Sequence, residues 1–435
     1  MKKSNKKLLV VAIATALTAA SAGSALALEN QFSGAFTAFF DNSNYSAAGN
    51  NAYEAAPTNL RGLKDGAPTE NYFVQRVRLG YTAKADDHVK LVTKFEFDYN
   101  WYGNSSYATN RGSGGAIGSD SVNMETKHLY LDLNYPLVNA KIGMMPNNDI
   151  FKGILFDADM AGILFSHNYT NAGVNLGFFR WNDDWDWTNN KTLGKNTVDM
   201  FQLDGKYNVS KDLKVGAAYY YVKDDFNLAK VHTVGLNAET TLGPVAVNAF
   251  AVKQFGDLNA TDDAKGYAFN VGAKMPVGKG TARAEVLYVS GGDNAFYNAA
   301  NGTEAGGYYD SEMIFLARDK NATTIDNAIV YDVSNYGQGV ILGAIGYDYP
   351  FTDKLSGSAN IGFGAIADDK FSQSTGDSDY LGTEINAEVN YQLSANVSLG
   401  ARAGYLMLGK YFDGVDAGRD ADNPYDVKIL ARYSF

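Results

Sequence analysis

The chain of 435 residues contains four histidines, His88, His128, His167 and His232, and no cysteine. Without thiols there is no disulfide, thiolate metal site or c-type haem attachment. Histidines this far apart in sequence do not suggest a metal centre. A hydrolase needs a serine, a histidine and an acid within hydrogen-bond reach. Ser166 and His167 are sequence neighbours, and neighbours on a strand point to opposite faces. No catalytic residue, metal site or cofactor is therefore expected. The informative residues are charges set two apart: Arg76 and Arg78; Lys90 and Lys94 with Glu96 and Asp98; Lys428 and Arg432 with Asp426; and Arg402 nearby. Lys141 extends the set. Fixed cations on one strand face attract anions and orient dipolar solutes. Acidic residues outnumber basic ones 48 to 37, for a formal charge of −11, which argues against a nucleic-acid partner.

These charges sit on long alternating strands. In Phe73–Lys84, Phe73, Val77, Leu79, Tyr81 and Ala83 share one face, and Arg76, Arg78, Thr82 and Lys84 the other. The next strand sets Leu91, Phe95, Phe97, Tyr99 and Trp101 against Lys90, Lys94, Glu96, Asp98 and Asn100. Period two with one greasy and one charged face places a strand between two environments. The strands run to the length that a tilted strand needs to cross a bilayer. Short connections, such as 210–212, 277–280 and 394–396, alternate with long ones. Aromatic residues mark the strand ends, as membrane interfaces favour. Residues 1–27 open with Lys2, Lys3, Lys6 and Lys7, continue through an apolar run and end in Ala25-Leu26-Ala27. This pattern predicts a cleaved export signal and a mature domain over 28–435.

The expected fold is all-β: a transmembrane antiparallel up-and-down barrel of about 18 strands. A further hairpin in 291–336 would give 20, and merging weak neighbours would give 16. Closure would bring the last strand beside the first, so that Arg76, Arg78, Lys94, Arg402, Lys428 and Arg432 form one basic wall. In the final strand Tyr425, Val427, Ile429, Ala431, Tyr433 and Phe435 alternate with Asp426, Lys428, Leu430, Arg432 and Ser434. This resembles the terminal strand of outer-membrane barrels, in which the last aromatic residues, here Tyr433 and Phe435, are read by the insertion machinery. Over its mature length the chain resembles a bacterial outer-membrane porin, with likeness to channel proteins of metal- and sulfate-reducing bacteria.

The resemblance implies a Gram-negative outer-membrane location and contact with lipid and lipopolysaccharide. It also implies the homotrimer that porins of this size commonly form. An inward loop over 145–161 would carry Asp149, Asp157 and Asp159 to face Arg76, Arg78, Arg402 and Arg432 across a narrow eyelet. External loops are expected at 42–70, 102–125, 182–198, 291–336 and 410–424. Asp413, Asp416, Asp420 and Asp422 are hard oxygen ligands, but their spacing does not match a calcium-binding loop. The implied function is passive diffusion of small hydrophilic solutes and ions through a water-filled channel. The alternatives are a substrate-specific channel for a sugar, organic acid or nutrient anion, and a barrel sheath for an electron-exporting porin–cytochrome complex. An Arg76→Glu/Arg78→Glu double change should shift the reversal potential in a salt gradient towards cation selectivity; an unchanged potential would refute the wall.

Overall fold

The computed structural model describes residues 29–45, 63–100, 124–183, 194–302, 307–320 and 328–435. The export signal and most of the loops at 42–70 and 102–125 lie outside the described residues.

The strands are β1 (Glu29–Ser43), β2 (Glu70–Lys84), β3 (Val89–Asn100), β4 (Glu125–Tyr135), β5 (Val138–Asn148) and β6 (Asp157–Asn168). There follow β7 (Ala172–Asn182), β8 (Val198–Asn208), β9 (Leu213–Asp224), β10 (Ala229–Leu242), β11 (Val245–Asp257) and β12 (Tyr267–Val277). The last six are β13 (Gly280–Val289), β14 (Val340–Pro350), β15 (Leu355–Ala365), β16 (Tyr380–Gln392), β17 (Val397–Leu408) and β18 (Tyr425–Ser434). Each pairs antiparallel with its sequence neighbours, and β18 pairs with β1 to close an 18-stranded sheet. The expected strand count and up-and-down order are those observed.

Alternation decides which way each strand faces. Phe73, Leu79, Leu129, Phe165, Leu236, Val271, Ile345, Ile385 and Ile429 point outward and are exposed. Their register neighbours Val74, Phe179, Tyr220, Val252, Leu287 and Leu406 point inward and are buried. Outward aromatics pack into two belts. One holds Phe32 with Tyr81, Tyr347 with Tyr349, and Tyr433 with Phe435; the other holds Phe40 with Phe73, Phe178 with Phe201, and Phe269 with Tyr288. The rim beside the first belt carries only short turns, down to the two-residue turns at 136–137, 243–244 and 278–279; the opposite rim carries the long connections.

The connection between β13 and β14 departs from expectation. Rather than standing outside the barrel, its described parts turn into the bore and occupy much of it. Phe296, Tyr297, Tyr309, Met313, Ile314, Phe315, Leu316, Ile329 and Val330 are all buried there, in one cluster with the inward side chains of the wall. Among the described residues its apolar pieces form no strand pair; the Ile329 N–H is donated to the Phe315 carbonyl at 2.6 Å. A barrel this wide cannot fill its interior with wall side chains alone, so a greasy inserted segment finds cover there that it would lack outside. Inward glycines make room: a Cβ at Gly362 would lie 2.4 Å from Met313 Sδ, and one at Gly404 2.6 Å from Ile314 Cδ1. The inward loop after β5 is shorter than expected, running only from Asp149 to Phe156, because residues 145–148 and 157–161 belong to β5 and β6.

At the seam, Gly34 and Phe435 exchange backbone hydrogen bonds of 2.9 and 3.0 Å, and a Cβ on Gly34 would fall 2.4 Å from the Phe435 ring. Gly34→Val should displace that ring and destabilise closure by about 1–3 kcal/mol. The check is a lower midpoint for thermal loss of the folded electrophoretic form.

Candidate functional site: a bore narrowed by two inserted loops

Two anchors hold the inserted segments, and each is a carboxylate turned on backbone amides. Asp149 accepts from the N–H groups of Phe151 (2.6 Å), Gly153 (3.0 Å), Leu155 (2.6 Å) and Phe156 (3.0 Å). It is fully enclosed, and burial pushes its pKa up to about 6 against the lowering effect of those four donors. The turn it organises crosses the bore: Phe151 packs on Tyr220 and Phe250, the Ile150 carbonyl accepts from Asn237 at 2.6 Å, and Lys152 pairs with Glu285 of β13. On the other side Glu384 of β16 accepts from Ile314 (2.7 Å), Phe315 (2.9 Å) and Leu316 (3.1 Å), and from Asn386 Nδ2 (2.7 Å).

Further ties fix the long segment. Asp319 pairs with Arg402 of β17. Glu312 lies 3.3 Å from Arg283 of β13, which also binds Asp348 at 2.8 Å. Gln254 and the Tyr297 backbone exchange hydrogen bonds of 2.7 and 2.9 Å. The two insertions also meet each other, through Ala299 N–H to the Leu155 carbonyl at 2.9 Å. Where they meet, Arg318 binds Asp310 at 3.0 Å, lies 3.8 Å from Asp157 and sits 4.3 Å over the Tyr308 ring.

The insertions pack mainly on β7 to β17 and reach β4 and β5 only at apolar positions such as Tyr130 and Met145, so that cations on β2 to β4 keep part of their surface accessible. Side chains of Arg78 and Lys127 remain 35% and 24% exposed, and Arg76 17%, against 5% for Arg402 and 4% for Lys428. The accessible wall is a cationic network around one acid. Glu96 is 3.6 Å from Arg76, 3.5 Å from Lys127 and in direct contact with Arg78. Asp159 is 2.9 Å from Lys127 and 3.1 Å from His128. Lys94 makes no ion pair among the described residues, and Lys141 lies 5.5 Å over the Tyr130 ring. Among these charges the five cations Arg76, Arg78, Lys94, Lys127 and Lys141 outnumber Glu96 and Asp159, and the register partners Lys90 and Asp132 on the same face add one charge of each sign.

This changes the expected eyelet. Asp149 does not face the bore, because its carboxylate is spent on the turn. Asp157 and Asp159 lie on β6, next to the basic strands rather than across from them; Asp159 neutralises Lys127 in place. Arg402 and Lys428 do not line the passage: Arg402 is capped by Asp319, and Lys428 is held at 3.2 and 3.1 Å by Asp41 and Asp426. Arg432 lines a crevice with Glu388 and Arg402. The one wall of the sequence reading is thus two, one wet and one locked under the plug. Lys127 escaped that reading because the β3–β4 pairing slips between Lys94 and Phe95, so Lys127 and its neighbour His128 both reach Asp159. Of the acids Asp413, Asp416, Asp420 and Asp422, three bind loop partners rather than a common centre: Asp416 takes Arg419 at 2.8 Å, Asp420 the Gly414 N–H at 2.8 Å, and Asp422 the Ala67 N–H at 3.1 Å. No metal-ligand group occurs among the described residues.

The geometry defines a class: a closed eighteen-stranded antiparallel barrel whose bore receives two inserted segments. Crystal structures of Pseudomonas aeruginosa barrels share this fold. OccK8 (OprE) aligns with a TM-score of 0.58 at 12% identity over 94% of this chain and 98% of that one. OpdL gives 0.58 at 12% over 94% and 99%, and the outer membrane protein opdK 0.57 at 11% over 94% and 98%. No protein-family model matches the chain, and no curated protein matches it.

Glu384→Gln replaces a carboxylate that receives three backbone amides with a group that offers its own N–H to them. Hydrogen bonds to a charged acceptor are worth about 1.5–3 kcal/mol each, so the plug should loosen. Single-channel recordings should show a larger or noisier conductance than the parent; identical traces would mean that the segment is held without this anchor.

Proposed function

We propose that the chain is an outer-membrane porin through which small hydrophilic solutes and ions diffuse passively, with anions favoured. The observation that carries the reading is the match between opening and charge: the part of the bore that the plug leaves accessible is the part lined by Arg76, Arg78, Lys94, Lys127 and Lys141. A water-filled passage with one sign of charge on a low-dielectric wall concentrates the opposite ion. The greasy outer face, the two aromatic belts and the seamless sheet support a bilayer setting, since an open edge there would leave backbone groups unpaired. The likeness of fold to the outer membrane protein opdK points to the same membrane.

A substrate-selective channel is the second reading, favoured by the narrowness that two interlocked insertions impose. A sheath around an inserted haem protein is disfavoured, because the plug occupies the middle of the bore that such a partner would need. The deciding measurement is the reversal potential of the refolded protein in a potassium chloride gradient. Chloride preference is expected, and Lys94→Gln/Lys127→Gln should reduce it. A cation-selective parent would sink the proposal, while current that saturates with one organic anion would favour the selective channel.

A further inference from the structure

Outside the barrel, on the rim that carries the long connections, one stretch of wall differs from the rest. Outward positions at the ends of β7 to β11 carry Arg180, Lys223, Lys230 and Lys253. Among the described residues no other outward strand position at this rim holds a lysine or arginine. Lys223 and Lys230 are direct cross-strand partners, and like charges in that relation repel and destabilise a sheet. Nearby acids relieve this only in part. Asp199 is engaged by Arg180 at 2.8 and 3.1 Å, Asp225 holds Lys223 at 2.5 Å, and Asp257 is the register partner of Lys230. Lys230 and Lys253 make no ion pair among the described residues.

Directly below lies an aromatic shelf. Phe201 stacks with Tyr221, Tyr221 with His232 at 4.6 Å, and His232 with Phe255 at 5.0 Å, while the Tyr219 hydroxyl fixes His232 at 2.7 Å. Beneath the shelf the outer wall is concave: a groove of about 880 Å³ has small residues such as Ala217 and Ala249 on its floor and Leu203, Tyr219, Leu236 and Phe269 as its ridges. Cations, aromatic rings and an apolar trough thus follow one another down the same strands.

We propose that this face binds a phosphorylated, multiply acylated glycolipid of the outer leaflet, with a phosphate between Lys223 and Lys230 and its acyl chains in the groove. The inference rests on the membrane orientation taken above and is independent of what passes through the bore. An anion between the two lysines turns their repulsion into shared attraction. Lysines next to a membrane surface attract anionic lipid, and the aromatic shelf sits where such rings mark the interface. Five strands at about 4.8 Å spacing make a trough roughly 19 Å wide, broad enough for several parallel chains, which favours a glycolipid over a two-chain phospholipid.

Native mass spectrometry of the detergent-purified protein, titrated with diphosphoryl lipid A, tests the site. Tight binding by the parent is expected, weakened roughly tenfold or more in Lys223→Gln/Lys230→Gln and weakened likewise when the lipid is dephosphorylated. Lys211→Gln, in a turn at the opposite rim, should bind as the parent does. The proposal falls if the double variant retains the lipid fully, if dephosphorylation changes nothing, or if phosphatidylglycerol binds as tightly. It also falls if Ala249→Trp breaks up an oligomer, since the trough would then be covered by a second copy. Single-channel conductance of the double variant should equal the parent's, so loss of lipid binding and failure of the channel reading are told apart.

Discussion

Everything in this molecule follows from the need to pair each backbone N–H and C=O inside hydrocarbon, where an unpaired group costs several kcal/mol. A sheet meets that need only by closing, and here β1 and β18 complete the ladder from Ala35–Ser434 to Ser43–Asp426. Closing eighteen strands produces a bore too broad for wall side chains to fill. Two insertions occupy most of it, and the residual gap is what the proposed function assigns to solutes. The position of that gap is set by which wall the insertions grip.

The grip is electrostatic and buried. Glu384, Asp149 and the Arg402–Asp319 pair lie among apolar side chains, where an unmatched charge would be expensive. Each is matched, by backbone amides or by an opposite charge. On the wall over β2 to β5 the cations gather around the buried Glu96 and match it themselves, and Arg78 and Lys127 keep part of their surface accessible. One barrel therefore contains two kinds of charged surface, one locked in the fold and one partly accessible.

Much of this was legible in the chain. The alternation in 73–84 and 425–435 assigns faces correctly, and the strand order follows from the length of the connections. The plug was not legible, because Met313–Arg318 and Ala328–Val333 are as apolar as short strands and their inward burial depends on glycines far away, at 362, 364 and 404. Asp149 reads as an eyelet acid facing the basic wall, since nothing local reveals that four amides converge on it. Lys127 was lost to a register slip, which breaks the period that sequence reading depends on.

Anchoring by Glu384 has an evolutionary corollary. The carboxylate recognises main-chain amides, which every residue type except proline supplies, so the mooring is indifferent to the identity of the side chains it holds. Tyr308, Asp310 and Arg318, at the junction of the two insertions, can be exchanged without cutting the tether at 314–316. The inserted segment is in this sense a replaceable cartridge on a permanent mount, and its exposed side chains can change while the barrel stays as it is.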